Sequence, residues 1–217
     1  MTNFASDGHN LLVYDISRDA RERLRSDSIS VASSVAEVAK SCDIVFSMLP
    51  NDDIVTDTSL ELLNNTTSKD FLHVSCSTVS PSTSRRLADT YRSYQSTASF
   101  IASPVFARPD GIARKEAIWI VAGDEKGKLI AMDMLKSGGR TEDYGEDAGA
   151  ANVVKLCGNF LIASTIESIG ESMVLAEKND VDPKRVMDLL SSTIFDCLIY
   201  KVYRDIEPMR ACLLFTV

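Results

Sequence analysis

The pattern of apolar and polar positions predicts alternating strands and helices before residue 148. Short apolar runs, typical of buried strands, lie at residues 11–14, 43–48, 71–74, 100–105 and 117–122. Segments with helical propensity or amphipathic spacing separate them, at residues 18–24, 31–40, 53–63, 81–94 and 126–135. Alternation of this kind is typical of parallel βαβ units in an α/β layer fold.

The pattern changes after Gly149. Residues 150–179 contain no proline, and their apolar side chains recur at helical spacing. At ~1.5 Å per residue this helix would be about 45 Å long, which is typical of a spine that leaves one domain for the next. A further helix is predicted at residues 183–190. We therefore expect an α/β domain at residues 1–147, followed by the start of a helical domain at residues 148–217.

Composition places the chain among ordinary globular proteins. Its 217 residues are 45% hydrophobic and 25% charged, and the net charge is -8. This acidity argues against a nucleic-acid partner, which needs a basic surface, and is better explained by solubility.

Cysteine and histidine usage argues against disulfide-stabilised proteins and metalloproteins. The five cysteines are scattered and form no CxxC pair, which favours free thiols in a reducing compartment; they are Cys42, Cys76, Cys157, Cys197 and Cys212. The two histidines do not pair with other ligands at metal spacing, so no metal site is expected. We find no secretory signal pattern, and no apolar run approaches the ~20 residues of a membrane span. The sequence therefore predicts a soluble intracellular protein.

Several polar residues follow the predicted strands, where open α/β sheets bind their ligands. Asp15 could accept hydrogen bonds from a ribose 2′-hydroxyl and repel a 2′-phosphate, or it could be a turn residue. Arg18 could instead hold that phosphate. Residues 48–50 (MLP) and 75–78 (SCST) follow the next strands. The serine and threonine hydroxyls could hold an anion at a helix N-terminus or simply cap the helix.

Lys155 and Asn159 share a face of the long predicted helix, because they are four residues apart. Lys155 lies in an apolar stretch (VVKLC), where partial burial can lower the pKa of the ammonium and suit it to acid/base work. The alternative is a lysine that extends its charged end to solvent.

Six stretches, in this order and spacing, resemble the 3-hydroxyacid dehydrogenase family. They are GHNLLVYD at residues 8–15, SCDIVFSMLP at 41–50, SCSTVSP at 75–81, SPV at 103–105, WIVAG at 119–123 and GAANVVKLCGN at 149–159. The family includes 3-hydroxyisobutyrate dehydrogenase, tartronate semialdehyde reductase and glyoxylate/succinic semialdehyde reductases, and is related to 6-phosphogluconate dehydrogenase. The resemblance extends to about residue 190.

The resemblance implies hydride transfer between NAD or NADP and a small hydroxyacid or its aldehyde acid. It implies that Lys155 is the catalytic acid/base. The substrate-binding residues would be Asn159 and Ser77. Arg108 lies in a segment that departs from the family pattern, and by its charge it could offer a new contact to a substrate carboxylate. The cofactor contacts would be Asp15, Leu49, Pro50 and Thr78. Lysine at position 155 argues against the imine reductase branch, and Asp15 slightly favours NAD.

Three features depart from the family pattern. No strand with a GxGxxG turn precedes residue 8, so we expect an incomplete Rossmann-type parallel sheet followed by a long helix and part of an all-α domain. Residues 104–108 (PVFAR) replace a small glycine-rich substrate loop. The tail, residues 203–217, does not match.

These departures leave two alternatives to the enzyme. One is an inactive paralogue or fragment that binds no dinucleotide. The other is a helical interaction module that forms a homo-oligomer. Localisation is expected to be the cytoplasm or, if the natural N-terminus lies elsewhere, an organelle.

Overall fold

The computed structural model describes residues 2–94 and 97–203. The strands are β1 (Leu11–Val13), β2 (Ile29–Val31), β3 (Ile44–Ser47), β4 (Leu72–Ser75), β5 (Ser99–Ala102), β6 (Val105–Phe106), β7 (Ala117–Val121) and β8 (Gly139–Asp143). The helices of the first part of the chain are α1 (Thr2–Ser6), α2 (Arg18–Leu24), α3 (Val35–Ser41), α4 (Asp52–Asn65), α5 (Pro81–Tyr94), α6 (Pro109–Ala113) and α7 (Glu125–Leu135). They are followed by α8 (Ala148–Lys178), α9 (Pro183–Leu190) and α10 (Leu198–Tyr203). The α/β class with parallel sheets and a long helix is confirmed.

The strands form three small sheets. β1 pairs with β2 in parallel, and β3, β4 and β5 form a parallel sheet in that order. β7 pairs in parallel with β8 and antiparallel with β6. A bridge between Ala102 and Ala122 links the β5 and β7 regions. In the described ranges, β1 pairs only with β2, and β3 pairs only with β4.

Alternating side chains of the central strands enter two apolar clusters, which is why these strands are buried on both faces. Phe100 of β5 packs with Leu87 of α5 and Leu62 of α4 in one cluster. Ile101, the next residue, packs with Val74 of β4 and Leu135 of α7 in the other. Period-two alternation therefore places helices against opposite sides of the same strands.

The ends of several helices follow from local chemistry. Asn51, Asp124 and Asp182 each accept a hydrogen bond from a backbone N–H of the first turn, at the starts of α4, α7 and α9. α5 begins at Pro81, and the Oγ of Ser80 accepts from the N–H of Thr83, 3.2 Å away. The predicted N-cap Ser80 and first-turn Pro81 are both confirmed.

Two sequence predictions were wrong in detail. The helix expected at residues 31–40 begins at Val35, because Val31 pairs in β2 and the hydroxyl of Ser34 caps the helix. The strand expected at residues 100–105 is divided between β5 and β6, and β6 runs antiparallel to β7. β8 was not predicted, because its sequence GRTED is polar and lacks strand alternation.

The chain divides into two compact units, Met1–Leu156 and Cys157–Val217. The boundary falls inside α8 rather than before it, since Ala148 and Ala151 belong to the apolar cluster of the first unit. In the second unit Ile169, Ala176 and Met187 are buried, while Ile194 and Leu198 are 91% and 76% exposed. Residues 204–217, which hold most of the unmatched tail and Cys212, lie outside the described residues.

By length and composition α8 could cross a membrane. Core helices of soluble proteins can be as long and as apolar, so these two properties are weak evidence of a membrane span.

Candidate functional site

The loops that follow β3 and β4 are joined by a hydrogen bond between two of the predicted site residues. The N–H of Leu49 donates to the Oγ of Ser77 over 2.7 Å. This contact follows from the parallel register, in which Ser47 lies opposite Ser75, so that residues two positions further on are neighbours. Ser77 is buried and Thr78 half-buried, whereas Pro50 is exposed. The structure therefore brings Leu49, Ser77 and Thr78 together at the carboxyl edge of the sheet.

The N-terminus of α5 already holds a carboxylate. The Oδ2 of Asp52 accepts from the N–H and the hydroxyl of Ser80, at 3.0 and 2.7 Å. Desolvation acts to raise the pKa of Asp52, but hydrogen bonds from Thr83 and Ser80 outweigh it and lower the pKa. Ser80 and Asp52 thus provide the capping at this helix, and Ser77 instead contacts the Leu49 loop.

Lys155 lies on the second turn of α8, against the segment that follows β5. Its Nζ is 4.2 Å from the centre of the Phe106 ring, a cation–π contact. The side chain is half-buried, and desolvation lowers the pKa of its ammonium. Among the ion pairs of the described residues none involves Lys155. Partial burial therefore favours the neutral amine more than full solvation would. Acid/base catalysis requires a lysine that can lose its proton in this way.

Asp15 lies at the end of β1, in the two-stranded sheet. It is exposed, and its Oδ1 accepts from the N–H of Ser17 over 2.8 Å. Ser17 in turn caps α2, whose first residue is Arg18. Asp15 is therefore a turn residue, which was one of the two alternatives that the sequence left open. Because its carboxylate is exposed, it is also accessible to a ribose hydroxyl.

Of the predicted substrate contacts, Arg108 and Asn159 are exposed. Arg108 is exposed at the start of α6 and makes no side-chain capping bond there. Asn159 is exposed on α8 in the second unit. Their predicted roles in substrate binding stay predictions.

Two buried polar residues beside these loops were not singled out from sequence. The Oδ1 of Asn152 accepts from the N–H of Val79, and its Nδ2 donates to the Oγ of Ser84. His73 lies in β4, with its Nε2 2.8 Å from the Oγ of Ser47. The only local signal was a polar residue within an apolar stretch, AANVV for Asn152 and FLHV for His73.

The hydrogen-bond directions around His73 can be assigned. The hydroxyl of Tyr91 donates to the carbonyl of Ser59, so the Nδ1–H of His73 donates to Tyr91 and its Nε2 accepts from Ser47. Burial lowers the pKa of His73 to about 3, which keeps the ring neutral. His73 thus links the end of β3 to α5 and α4.

The cysteines and acidic groups give no metal site among residues 2–94 and 97–203. Cys42, Cys76, Cys157 and Cys197 are free thiols. Burial raises the pKa of the Cys76 thiol to about 12, so it stays protonated although it lies next to Ser77.

The residues present fit a dinucleotide in part. The carboxyl edges of β1, β3 and β4 carry acidic, apolar and hydroxyl groups suited to a ribose and a nicotinamide. Within the described residues, no strand of the β1–β2 or β3–β4–β5 sheets runs into a glycine turn, the feature that usually cradles the pyrophosphate.

Parallel strands with polar loops at their carboxyl ends, and a lysine-bearing helix that follows them, are typical of nicotinamide-dependent dehydrogenases. The profile described as the NAD binding domain of 6-phosphogluconate dehydrogenase matches residues 1–155. A second profile, described as NAD-binding of NADP-dependent 3-hydroxyisobutyrate dehydrogenase, matches residues 149–204. The chain belongs to the 3-hydroxyacid dehydrogenase family of NAD(P)-dependent oxidoreductases.

Individual relatives agree with this assignment. The oxidoreductase YfjR of Bacillus subtilis is 31% identical over 207 residues, which cover 94% of this chain and 71% of YfjR. The mitochondrial 3-hydroxyisobutyrate dehydrogenase of Drosophila melanogaster is 27% identical over 205 residues, covering 94% of this chain and 63% of the relative. The chain thus spans about two thirds of the length of these proteins.

The fold is also that of a solved structure. The 3-hydroxyisobutyrate dehydrogenase of Mycobacterium tuberculosis with L-serine superposes with a TM-score of 0.79 at 24% identity. The match covers 91% of this chain and 67% of the other.

Proposed function

We propose that this chain supplies the catalytic lysine and the cofactor-contacting loops of an oxidoreductase that acts on a small hydroxyacid or its aldehyde acid. The observation that carries the proposal is the environment of Lys155. Its ammonium is half-buried over Phe106, and desolvation lowers its pKa. The loop that holds Ser77 and Thr78 is hydrogen-bonded to the same helix, through Asn152.

A nicotinamide cofactor held by the loops of Leu49, Pro50 and Thr78 would supply the hydride-transfer chemistry. Lys155 gives a proton to the substrate oxygen as a carbonyl is reduced, and takes it back as a hydroxyl is oxidised. The Ser77 hydroxyl accepts from Leu49 and can donate its own proton to the substrate. Asn159 holds the substrate hydroxyl, and Arg108 is a candidate for its carboxylate.

On the cofactor side, Leu49, Pro50 and Thr78 would contact the dinucleotide, and Asp15 would accept hydrogen bonds from a ribose 2′-hydroxyl. Asp15 favours NAD, because its carboxylate repels a 2′-phosphate. Arg18 lies three residues further along the chain and is also exposed. In an enzyme that uses NADP, Arg18 would bind the 2′-phosphate.

One observation favours a second candidate, a non-catalytic member of the family that binds no dinucleotide. No glycine turn follows the strands that carry Asp15, Leu49 and Ser77, so the pyrophosphate has no backbone cradle among the described residues. The exposed apolar side chains of the second unit, Ile194 and Leu198 among them, suit a homo-oligomeric interface in either case. The Drosophila relative is mitochondrial by name, so an organelle stands beside the cytoplasm as the place of action.

Calorimetry with NAD(H) and NADP(H) separates the two candidates. Micromolar affinity for either cofactor supports the oxidoreductase, and affinity that is weak or undetectable supports the candidate that binds no dinucleotide.

Turnover tests the lysine directly. In a form of the protein that binds cofactor, Lys155→Ala should lower kcat by at least about 10²-fold while cofactor affinity is roughly unchanged. Lys155→Arg is the matched control, since it keeps the positive charge but not an amine that readily loses its proton. A near-normal kcat in Lys155→Ala would remove Lys155 from the mechanism.

A further inference from the structure

Asn152 lies where the helix that carries Lys155 meets the loop that carries Ser77 and Thr78. Its side chain is 1% exposed, and both ends of its amide are engaged. The Oδ1 accepts from the N–H of Val79 over 3.1 Å, and the Nδ2 donates to the Oγ of Ser84 over 2.9 Å. Val79 directly follows Thr78, and Asn152 precedes Lys155 by three residues of the same helix.

We propose that Asn152 is a positioning residue, which fixes Lys155 relative to the Ser77–Thr78 loop by clamping the start of α8 to the β4–α5 connection. The proposal rests on the proposed function, in which these two parts act on one substrate. Asn152 does not act on the substrate itself and works through Lys155.

Asn152 contributes more to the stability of this junction than the neighbouring ion pair does. Arg85 and Asp147 also join α5 to the start of α8, over 2.8 Å, but both side chains are 49% exposed. Exposed ion pairs contribute little, because solvent screens them. The two bonds of Asn152 are buried, and losing the amide would leave the N–H of Val79 without a partner away from water.

Close packing at the same junction makes the position of α8 sensitive to this clamp. A Cβ on Gly149 would lie 2.7 Å from the Arg85 guanidinium carbon and 2.8 Å from the carbonyl oxygen of Pro81. The backbone of α8 therefore approaches the start of α5 closely, and a change in its register would move Lys155 against Phe106. Rate constants for reactions between held groups fall by about 10²-fold for a displacement near 1 Å.

The titration of Lys155 reports its position without any need for activity. Protein with 13C-labelled lysine is titrated by NMR, and the Lys155 signal is identified by its loss in Lys155→Arg. Charged groups near the start of α8 are Asp147 and Arg85, which pair with each other, so the pKa of Lys155 follows its burial. We expect Asn152→Ala to raise this pKa towards the ordinary lysine value of 10.5.

Two further variants make the test specific. Ser59→Ala removes an equally buried hydroxyl that bonds within α4 and should leave the Lys155 titration unchanged. Ser84→Ala removes one of the two bonds of Asn152 and should give a smaller rise in the same direction. If Asn152→Ala does not fold, Ser84→Ala decides: a rise supports the proposal, and an unchanged titration overturns it.

Activity adds a second readout in a form that turns over. Asn152→Ala should lower kcat by roughly 10–100-fold with little change in KM for the hydroxyacid. If Lys155→Ala stays active while Asn152→Ala still shifts the titration, the proposed function fails and the positioning role stands. If Lys155→Ala is inactive while Asn152→Ala changes neither titration nor kcat, the positioning role fails alone.

Discussion

The ammonium of Lys155 lies 4.2 Å from the centre of the Phe106 ring. Phe106 ends the short strand β6, which pairs with β7, so the ring is fixed by the sheet rather than by the helix that carries the lysine. A cation over an aromatic face gains about 0.5–2 kcal/mol, depending on solvent access. The ring favours the charged form of Lys155, whereas desolvation disfavours that form and lowers the pKa of the ammonium.

The lowered pKa of Lys155 predicts that Lys155→Met stabilises the fold at neutral pH. A lysine whose pKa is lower folded than unfolded destabilises the native state when protonated, so the penalty is present below the folded pKa. The penalty disappears as the pH rises above the ordinary lysine value of 10.5. We expect a gain within about 1 kcal/mol at pH 7, because the group is half-exposed. Denaturant unfolding at pH 7 and pH 10.5 checks this, and a Lys155→Met variant less stable than wild type at pH 7 would contradict it.

His73 should make the protein sensitive to mild acid. Burial lowers its pKa from 6.5 to about 3, so its contribution to stability is present above pH 6.5 and is lost as the pH falls towards 3. The slope should reach about 1.4 kcal/mol per pH unit. Carboxyl groups whose pKa is lowered in the fold, such as Asp52 with its ordinary value of 3.8, contribute mainly below pH 4.5.

The measurement is the free energy of unfolding between pH 6.5 and pH 4.5. His73→Gln should be less stable at pH 7 but should lose less stability on acidification. Tyr91→Phe is the matched control, since it removes the phenol that accepts from the ring while the buried imidazole stays. Parallel curves for wild type and His73→Gln would show that another group causes the acid response.

Gly149→Ala should destabilise the first unit. The added Cβ would lie 2.8 Å from the carbonyl oxygen of Pro81, a backbone atom that cannot turn away. Overpacking of this kind typically costs about 1–3 kcal/mol. Gly170→Ala, on the same helix with nothing within 4 Å of the added Cβ, is the control and should be neutral or stabilising. Equal melting temperatures for Gly149→Ala and Gly170→Ala would refute the close approach.

Mutation of Asp143 should lower the free energy of unfolding more than mutation of Lys128 does. The Lys128 side chain is 7% exposed and its Nζ lies 2.8 Å from the Oδ1 of Asp143, which is 48% exposed. Asp143→Asn leaves a buried ammonium without its counter-charge, whereas Lys128→Met leaves a carboxylate that water can solvate. We expect Asp143→Asn to cost about 2–3 kcal/mol and Lys128→Met about 1 kcal/mol or less. A larger loss in Lys128→Met, measured by urea unfolding, would reverse this account.

The sequence by itself determined the elements whose signals are local. α5 begins and ends where the sequence predicts, at Pro81 and Tyr94, because a capping serine, a first-turn proline and helical spacing agree. The apolar runs gave β3, β4 and β7, and the order of motifs gave the family. β2 (ISV) was missed because three residues are too few to show strand alternation, and β8 (GRTED) because its residues are polar. Both are strands only by virtue of their neighbours.

Only the tertiary structure decided how the candidate site is assembled. Lys155 and Asp15 are predicted from the family resemblance, but the contact of Leu49 with Ser77 depends on the register of two strands and joins residues 28 positions apart. The bond from Asn152 to Val79 joins residues 73 positions apart, and no periodicity links them. Hydrogen bonds of buried side chains are set by which elements pack together, and a single sequence encodes that packing only through the whole fold.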